Sequence, residues 1–330
     1  MKMFTKLVLV SSMAISANAM AMQSMDDAAL SAATGQDGLN IGIGISKIEI
    51  EKVLIHDNDG LAASAGGTGE AGAIVIKSNG TGATTANGVV ITAPMNAAGD
   101  ALDTTRALAS HNLADLVIDT DKGTGTNGAF LNVAAAVSGL DIYVGEIGVS
   151  GSNAASTTDV RRGNDDTNYN AILSGLTVKT GLTSANIQLG AAPQGAMIAL
   201  NTTMKGGLEL KDLGIVDSST KQGSGDGSVG NRAAGQIYLD SIKVADATGT
   251  DLTVNAAVSV VGKEATNNGY LRIITGSGAS TPATDVYIKG VHLGSQDAKS
   301  IGDVEVQGLQ TYYNNGSANV KGSMITISGH

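Results

Sequence analysis

The chain has 330 residues, enough for one large all-β domain or two ordinary domains. Its 45 Gly, its 3% aromatic content and the absence of Trp disfavour an aromatic core and a saccharide site lined by rings. The absence of Cys excludes disulfides, thiolate catalysis and cysteine-ligated metals. Asp and Glu number 30 against 20 Lys and Arg, and a net charge of −10 disfavours nucleic acid and anionic membranes as partners.

The N-terminus has the three parts of a secretory signal peptide, which we predict at residues 1–21. Two lysines precede the apolar run Leu7–Ile15, and small-x-small cleavage motifs end at Ala19 and Ala21. We prefer cleavage after Ala21, with Ala19 as the alternative. The apolar run is too short to span a bilayer, so we predict no transmembrane span in the mature chain. Export through the Sec pathway, with transit through the periplasm, is therefore expected.

Residues 22–38 (MQSMDDAALSAATGQDG) differ in composition from the rest of the chain. Ser24 or Asp26 can cap a helix that carries acids in its first turn. Ala and Leu are good helix formers, and Gly35 or Gly38 can end the helix. We therefore predict a short N-terminal helical segment at residues 22–38.

The run Met25–Gly38 (MDDAALSAATGQDG) resembles the mature start of a group of secreted gammaproteobacterial proteins. Their shared pattern is hydrophobic-Asp-Asp-x-x-Leu-Ser-x-x-Thr-Gly-Gln-x-Gly, followed by an Ile-rich alternating strand. Some of these proteins are assigned to the Fil pilus system, and others are of unknown function. The resemblance implies a surface or fimbrial role, and it supplies no catalytic residues.

Residues 39–330 are predicted to form one β-rich domain with Gly/Ser/Asn loops, and its first stretch is the candidate assembly strand. Four aliphatic residues alternate there with Asn and Gly and so share one face of a strand: Leu39, Ile41, Ile43 and Ile45. Gly on the other face leaves room for a neighbouring backbone or sheet. The strand either completes its own sheet, which is the commoner arrangement, or is donated to an open sheet of the next subunit.

An eight-residue pattern recurs along this domain: apolar, any, apolar, two corner residues, apolar, any, apolar. Its clearest copies are Ile48–Ile55, Ile142–Val149, Leu208–Ile215, Ile237–Val244 and Val286–Leu293. Two residues between the apolar pairs, instead of one, require a bend or bulge if all four apolar side chains are to face inward. Ile242 and Val291 are therefore predicted to be interior, with Lys243 and His292 pointing to solvent.

Short strands that are joined by corners around an aliphatic interior are typical of a β-helix. We therefore predict an all-β fold that is an elongated parallel β-helix or solenoid, with a strongly coiled β-sheet as the alternative. The segment Asn96–Ala114 fits no strand alternation and is predicted to hold one helix.

Asp119 and Asp121, in the loop sequence Asp119–Gly123 (DTDKG), are the candidate metal ligands. An Asp-x-Asp turn supplies part of the set of about six to eight oxygens that calcium prefers. The loop lacks the distal Glu of an EF-hand, and stabilisation of the turn by local hydrogen bonds is the competing interpretation. Calcium is the one cofactor that the sequence suggests.

No recognised catalytic motif surrounds the four His residues, and we predict that the protein is not an enzyme. The preferred function is a glycine-rich, extracellular or cell-surface component, structural or accessory, of a pilus-like fibre (fimbrium). Its partners are then copies of itself or other pilus-system subunits, and a periplasmic chaperone is a further candidate. A monomeric adhesin that binds glycan or matrix is the first alternative, and a β-helix enzyme acting on polysaccharide is the second.

Overall fold

The computed structural model describes residues 38–247, 249–277 and 281–329. The chain from Asn40 onward forms one compact unit, which contains the strands discussed below apart from Leu39, the first residue of the first strand. The predicted signal peptide lies outside the described residues, as does the predicted helical segment at 22–38 apart from Gly38. In the described part of the chain, no helix combines the length and the apolar character that are needed to cross a membrane.

The described residues are dominated by β-strands, so the predicted all-β class is confirmed. In chain order the strands are β1 (Leu39–Ile43), β2 (Lys47–Ile50), β3 (Val53–Asp57), β4 (Gly72–Lys77), β5 (Val89–Thr92), β6 (Ala114–Asp121), β7 (Phe130–Val137), β8 (Asp141–Val144), β9 (Glu146–Ser152), β10 (Asn164–Leu173), β11 (Leu176–Lys179), β12 (Thr183–Gly190), β13 (Ile198–Met204), β14 (Leu208–Asp217), β15 (Gly235–Asp246), β16 (Leu252–Val261), β17 (Tyr270–Thr275), β18 (Thr284–Gly294), β19 (Val304–Leu309), β20 (Tyr312–Asn314), β21 (Asn319–Lys321) and β22 (Ser323–Ile327). Single 3₁₀ turns lie at Ala63–Ala65, Gly82–Thr84 and Ser218–Thr220.

Two large sheets contain nearly all of these strands. Sheet A has the order β1-β6-β7-β12-β13-β16-β17-β22. Sheet B has the order β2-β5-β8-β11-β14-β10-β9-β4-β3, and β15, β18 and β19 follow one another beside β14. The short hairpin β20-β21 forms a separate sheet.

The two sheets are successive segments of one meander of long strands. Short connections lead from β1 to β2, from β7 to β8, from β11 to β12, from β13 to β14, from β15 to β16 and from β17 to β18. The links from β5 to β6 and from β19 to β22 are longer. The two parts of each long strand occupy the same place in the order of their sheets: β1 and β2 come first, β6 and β5 second, and β22 and β19 last. Each long strand therefore contributes one part to sheet A and one part to sheet B.

The predicted parallel β-helix is wrong, because neighbouring strands in both sheets run antiparallel. Antiparallel neighbours need only a tight turn or a short loop between them, and the Gly-rich and Asn-rich loops provide it. A β-helix and an antiparallel meander share short strands, corners and aliphatic rows. The residue pattern therefore could not tell in which direction the next strand would run.

The predicted corners are present in sheet B. Gly145, at the corner of Ile142–Val149, separates β8 from β9. In β14 and β18 the corner residues Asp212 and Gly290 have left-handed backbone angles, with φ of 57° and 64°. A left-handed residue within a strand interrupts the ladder and re-aims the following side chains. These corners lie where the eight-residue pattern predicts a bend or bulge.

Rows of paired aliphatic side chains cross both sheets and take the place of an aromatic core. In sheet B the row consists of Ile48, Ile91, Ile142, Val178, Leu210, Ile242, Ile288 and Val304. In sheet A it consists of Ile118, Val133, Ile187, Ile198, Val258, Ile273 and Ile325. All members are half-buried except the last of each row, Val304 and Ile325, which are exposed because they lie on a terminal strand. Cross-strand pairs of branched residues stabilise such sheets.

The predicted faces are correct for three of the four residues named and wrong for His292. Ile242 and Val291 are half-buried and Lys243 is exposed, as predicted. His292, which was predicted to point to solvent, is largely covered. Tyr238, at another position predicted to face outward, is only 5% exposed, whereas Ile237 beside it is exposed.

Two aromatic residues account for this reversal. Tyr238 and His292 lie opposite each other on β15 and β18, and their rings meet edge to face with centroids 5.9 Å apart. The Tyr238 hydroxyl donates to Asp212 Oδ1 (2.9 Å), and His292 Nδ1 lies 2.5 Å from the carbonyl oxygen of Ala298. On the opposite face, a band of aliphatic residues is exposed: Ile55, Ile74, Val149, Ile215, Ile237 and Leu293.

Replacing Ile242 with Ala should lower the free energy of unfolding by about 2 kcal/mol, because it removes contacts from the sheet B row between Leu210 and Ile288. The matched change at Lys243, on the opposite face, should cost less than about 0.5 kcal/mol. Urea titration measures both values, and equal losses would show that the faces of β15 are wrongly assigned.

The helix that was predicted at Asn96–Ala114 is also wrong, because turns occupy this segment up to β6. The Asn96 side chain accepts hydrogen bonds from the backbone N–H groups of Gly99 and Asp100. Asp103 does the same for Thr105. Short polar side chains that bind nearby backbone donors compete with helix formation, which explains the difference.

Candidate assembly edges

Sheet A ends in two open strand edges. β1 lies at one end and pairs with β6, while β22 lies at the other end and pairs with β17. Among the described residues neither strand has a second neighbour in the sheet. We call β1 the first edge and β22 the last edge. An open edge presents a row of backbone N–H and C=O groups that can pair with another strand.

The first edge is the strand that the alternation predicts. Leu39, Ile41 and Ile43 lie in β1, whereas Ile45 lies just beyond its end. Leu39, Ile41 and Ile45 are exposed, and Ile43 is half-buried. The carbonyl oxygen of Ile43 accepts from the N–H of Leu113 (2.8 Å), which places the end of β1 beside the start of β6. The strand therefore pairs within its own sheet and runs opposite to β6.

The last edge has a similar surface. Met324, Ile325 and Ile327 of β22 are exposed. Ile325 pairs with Ile273 and ends the aliphatic row of sheet A. The sequence contains no sign that this strand, rather than another, ends the sheet.

Both edge strands of sheet A lack two of the features that usually prevent edge pairing, namely charge and Pro. β1 reads LNIGI and β22 reads SMITI, so neither contains a charged residue or a Pro. Proteins commonly block their sheet edges with charges, with Pro, with bulges or with covering loops. An uncharged aliphatic edge is therefore a surface on which a further strand can add.

The first side of sheet B is protected. β2 carries Lys47 and Glu49, whose side chains form an ion pair at 2.5 Å. β3 ends the order of sheet B opposite β2, and the loop between β9 and β10 makes contacts on both sides of it: Arg161 contacts Glu51 before β3 (3.1 Å), and Arg162 donates to Asn58 Oδ1 after β3 (2.6 Å). Charge on β2 and the loop beside β3 thus distinguish these two edges from the first edge of sheet A.

The third edge strand of sheet B is β19, and this strand is protected in a different way. β19 carries Glu305, and its pairing with β18 shifts register between Thr284 and Val286, which marks a bulge. Gly308 in β19 has a left-handed φ of 67°, consistent with this irregularity. A charged and irregular strand is a poor template for regular pairing.

A buried ion cluster holds the loop that supports the first edge. Arg106 donates from Nη1 to Asp141 Oδ1 (2.9 Å) and to the carbonyl oxygen of Thr180 (3.0 Å). From Nη2 it donates to the carbonyl oxygen of Met95 (2.8 Å). At either end of this loop, Ala93 donates to the carbonyl oxygen of Ser46, between β1 and β2, and Leu113 donates to that of Ile43, the last residue of β1. This role of Arg106 was not predicted, because a lone Arg in a polar stretch gives no signal of burial.

The carboxylate of Asp103 belongs to the same cluster. Burial would raise its pKa, but hydrogen bonds from Thr105 and Arg106 outweigh burial and hold the pKa of Asp103 below its usual value. A lowered pKa means that this carboxylate stabilises the fold above its unfolded pKa. The stabilisation is lost as the pH falls through the lower folded pKa. The two carboxylates, Asp141 and Asp103, also outweigh desolvation and raise the pKa of Arg106, so its charge is kept.

The calcium candidates Asp119 and Asp121 lie at the end of β6. Asp121 Oδ1 accepts from the N–H of Gly123 at 2.6 Å, which is a local turn bond. Within the described ranges, no three side chains of the types His, Cys, Asp and Glu come close enough together to form a metal site. Calcium binding by these two residues stays a prediction.

The first third of the chain is similar to a family of unknown function (DUF6160), whose model matches residues 1–112 of 330. The matched range includes β1 to β5 and ends just before β6, so it contains the first edge but not the last edge. No curated protein and no solved structure matches the chain. The relation to the Fil pilus system, which the N-terminal resemblance implies, stays a prediction.

Proposed function

We propose that the protein is a non-catalytic structural subunit of a surface fibre in which sheet A edges of neighbouring copies pair. The observation that carries this proposal is the contrast between the two sheets. The edges of sheet A are uncharged, free of Pro and lined by exposed aliphatic side chains, whereas those of sheet B are charged and covered or bulged. Edge pairing supplies backbone hydrogen bonds together with aliphatic contacts.

The expected export of the chain fits this proposal. A subunit with open edges must be kept from pairing before it reaches the assembly site, and a periplasmic chaperone that covers an edge would do so. Copies of this chain are the primary partners, and other pilus-system subunits that present a compatible edge are further partners. The predicted signal peptide and the resemblance at Met25–Gly38 support a location at the cell surface.

Replacing Ile325 with Lys should abolish assembly of the mature protein while leaving it folded, because a charge then lies on the last edge and Ile325 is already 49% exposed. The matched control is Leu189→Lys, since Leu189 is 48% exposed on the interior strand β12 of the same sheet. Sedimentation velocity and negative-stain electron microscopy measure assembly, and circular dichroism measures folding.

Wild type and the Leu189 variant should form fibres whose amount rises with protein concentration, whereas the Ile325 variant should sediment as a monomer. A wild-type protein that stays monomeric at every concentration would overturn the proposal. If that monomer bound cells or glycans, the adhesin alternative would take its place. Equal assembly by all three proteins would remove the last edge from the mechanism.

A further inference from the structure

We infer that the copies join head to tail, with the last edge of one copy against the first edge of the next copy. Sheet A would then continue without interruption through a fibre that has two different ends. This inference rests on the proposed function and specifies its partner surface. It follows from the number of strands in the sheet, the faces of the edge side chains and the charges beside the edges.

Because sheet A has an even number of strands, two copies that are related by a shift without rotation can pair their edge strands in the antiparallel direction. Sheet A has eight strands, and their directions alternate from β1 to β22. Because eight is even, the first and last strands run in opposite directions. A second copy that is shifted along the sheet without rotation places its β1 antiparallel to β22 of the first copy. An odd number of strands would have placed them parallel.

The side-chain faces also match across such a junction. A Cβ atom on Gly42 would lie 3.6 Å from Asp115 Oδ1, so Gly42 shares the face of Asp115. The neighbouring Ile41 therefore shares the other face with Ile118, which belongs to the aliphatic row of sheet A. Since Ile325 ends that row, translation brings Ile41 of the next copy onto the face of Ile325. The row then continues through the junction.

Full overlap of the two five-residue strands fixes the expected register. In antiparallel pairing Ile41 at the centre of β1 lies opposite Ile325 at the centre of β22. Both residues are exposed in the single chain, with 42% and 49% of their surface accessible. Pairing would cover both of them and extend the cross-strand aliphatic contacts.

Charge favours contact between unlike edges over contact between two last edges. Residues 301–311, which lead into and through β19, contain Asp303 and Glu305 and no Lys or Arg. Two last edges related by a two-fold axis would bring these carboxylates of both copies together. The first edge is followed in β2 by the exposed ion pair of Lys47 and Glu49, whose charges cancel. Head-to-tail contact therefore brings the carboxylates of Asp303 and Glu305 towards a neutral pair instead of towards a second set of carboxylates.

Two single-edge variants test the inference without depending on the register. Ile41→Lys blocks the first edge and Ile325→Lys blocks the last edge. Neither variant should self-associate, because each variant blocks one of the two edges that together form the contact between copies. An equimolar mixture should give a particle of twice the monomer mass and nothing larger, since one free first edge meets one free last edge. Sedimentation velocity measures the masses, and Leu189→Lys again serves as the control.

Other outcomes of the mixing experiment have distinct meanings. If either variant forms dimers alone, like edges pair, and the head-to-tail inference is overturned while the fibre function stands. If wild type forms fibres and the mixture gives no dimer, the edges of sheet A do not form the contact. If wild type itself fails to assemble, the proposed function fails first.

Engineered cysteines test the register, because the natural chain contains no Cys. The double variant Ile41→Cys/Ile325→Cys should give a ladder of disulfide-linked multimers on a non-reducing gel after oxidation. The two positions lie at opposite ends of the eight-stranded sheet, about 34 Å apart at about 4.8 Å per strand, too far for a bond within one chain. Each single variant should run as a monomer on the same gel, because its cysteine faces Ile41 or Ile325 of the next copy and not a second cysteine. Fibres of the double variant that give no ladder would overturn the pairing of Ile41 with Ile325.

Discussion

Replacing Arg106 with Ala should lower the free energy of unfolding by about 3–5 kcal/mol, because it leaves a buried carboxylate without its main partner. Asp141 is fully buried, and Arg106 contacts it at 2.9 Å. Among the described residues, Asp141 then keeps Lys179 at 3.4 Å and the backbone N–H of Met95 at 3.2 Å. A fully buried carboxyl group would thus lose the closest of its charged partners.

The substitution also removes bonds that join separate parts of the fold. Arg106 binds the carbonyl oxygens of Met95 and Thr180, which lie in the loop after β5 and in the connection from β11 to β12. Because the loop that contains Arg106 supports the first edge, fibre assembly should weaken together with stability.

The matched control is Arg161→Ala. Arg161 also forms an ion pair, with Glu51 at 3.1 Å, but both side chains are exposed. Exposed pairs contribute from zero to about 1 kcal/mol, so this variant should unfold almost as wild type does. Urea titration of both variants gives the comparison. Similar losses would mean that the Arg106 cluster is more hydrated than its geometry indicates.

Replacing Gly145 with Ala should cost about 1–3 kcal/mol, through steric overlap at the corner between β8 and β9. A Cβ atom on Gly145 would lie 2.2 Å from the carbonyl oxygen of Lys77 and 3.2 Å from the backbone N of Asn79. Both neighbours are backbone atoms, so no change of rotamer can relieve the overlap. Gly145 also donates its N–H to the carbonyl oxygen of Gly88 (2.8 Å), and a shift of the corner would strain this bond.

Gly72→Ala is the matched control in the same sheet. Gly72 begins β4, and a Cβ atom there would be 3.8 Å from the carbonyl oxygen of Ser150, an ordinary contact. Alanine should therefore be neutral or slightly stabilising at this position, because it restricts the unfolded chain more than Gly does. Thermal or urea unfolding distinguishes the two variants. If Gly145→Ala proved neutral, the corner would have to be more adaptable than a closely packed strand junction.

Local periodicity was sufficient to predict several features of this protein. The alternation Leu39, Ile41, Ile43 identified a strand, and that strand is β1. The corner residues Gly145 and Gly290 were placed where strands break or turn left-handed. These features depend on residues that are close in sequence, where the two-residue period of a strand and the demands of a corner act directly.

Features that depend on which distant strands become neighbours could not be predicted. The same corners and aliphatic rows suit parallel coils and an antiparallel meander, so the predicted β-helix was wrong. His292 was assigned to solvent because its covering partner, Tyr238, lies on another strand. Arg106 gained its role only when folding brought Asp141 and Thr180 to it from other parts of the chain.

The sequence by itself determined the β class, the scarcity of aromatic residues in the core and the uncharged character of β1 and β22. Tertiary structure alone decided that these two short strands lie at opposite ends of one eight-stranded sheet. The physical reason is that strand order arises from long-range backbone hydrogen bonding, whose donors and acceptors are the same in every residue except Pro. The side chains of a strand can make it suitable as an edge strand, but the pairing of all the other strands decides whether it lies at an edge of the sheet.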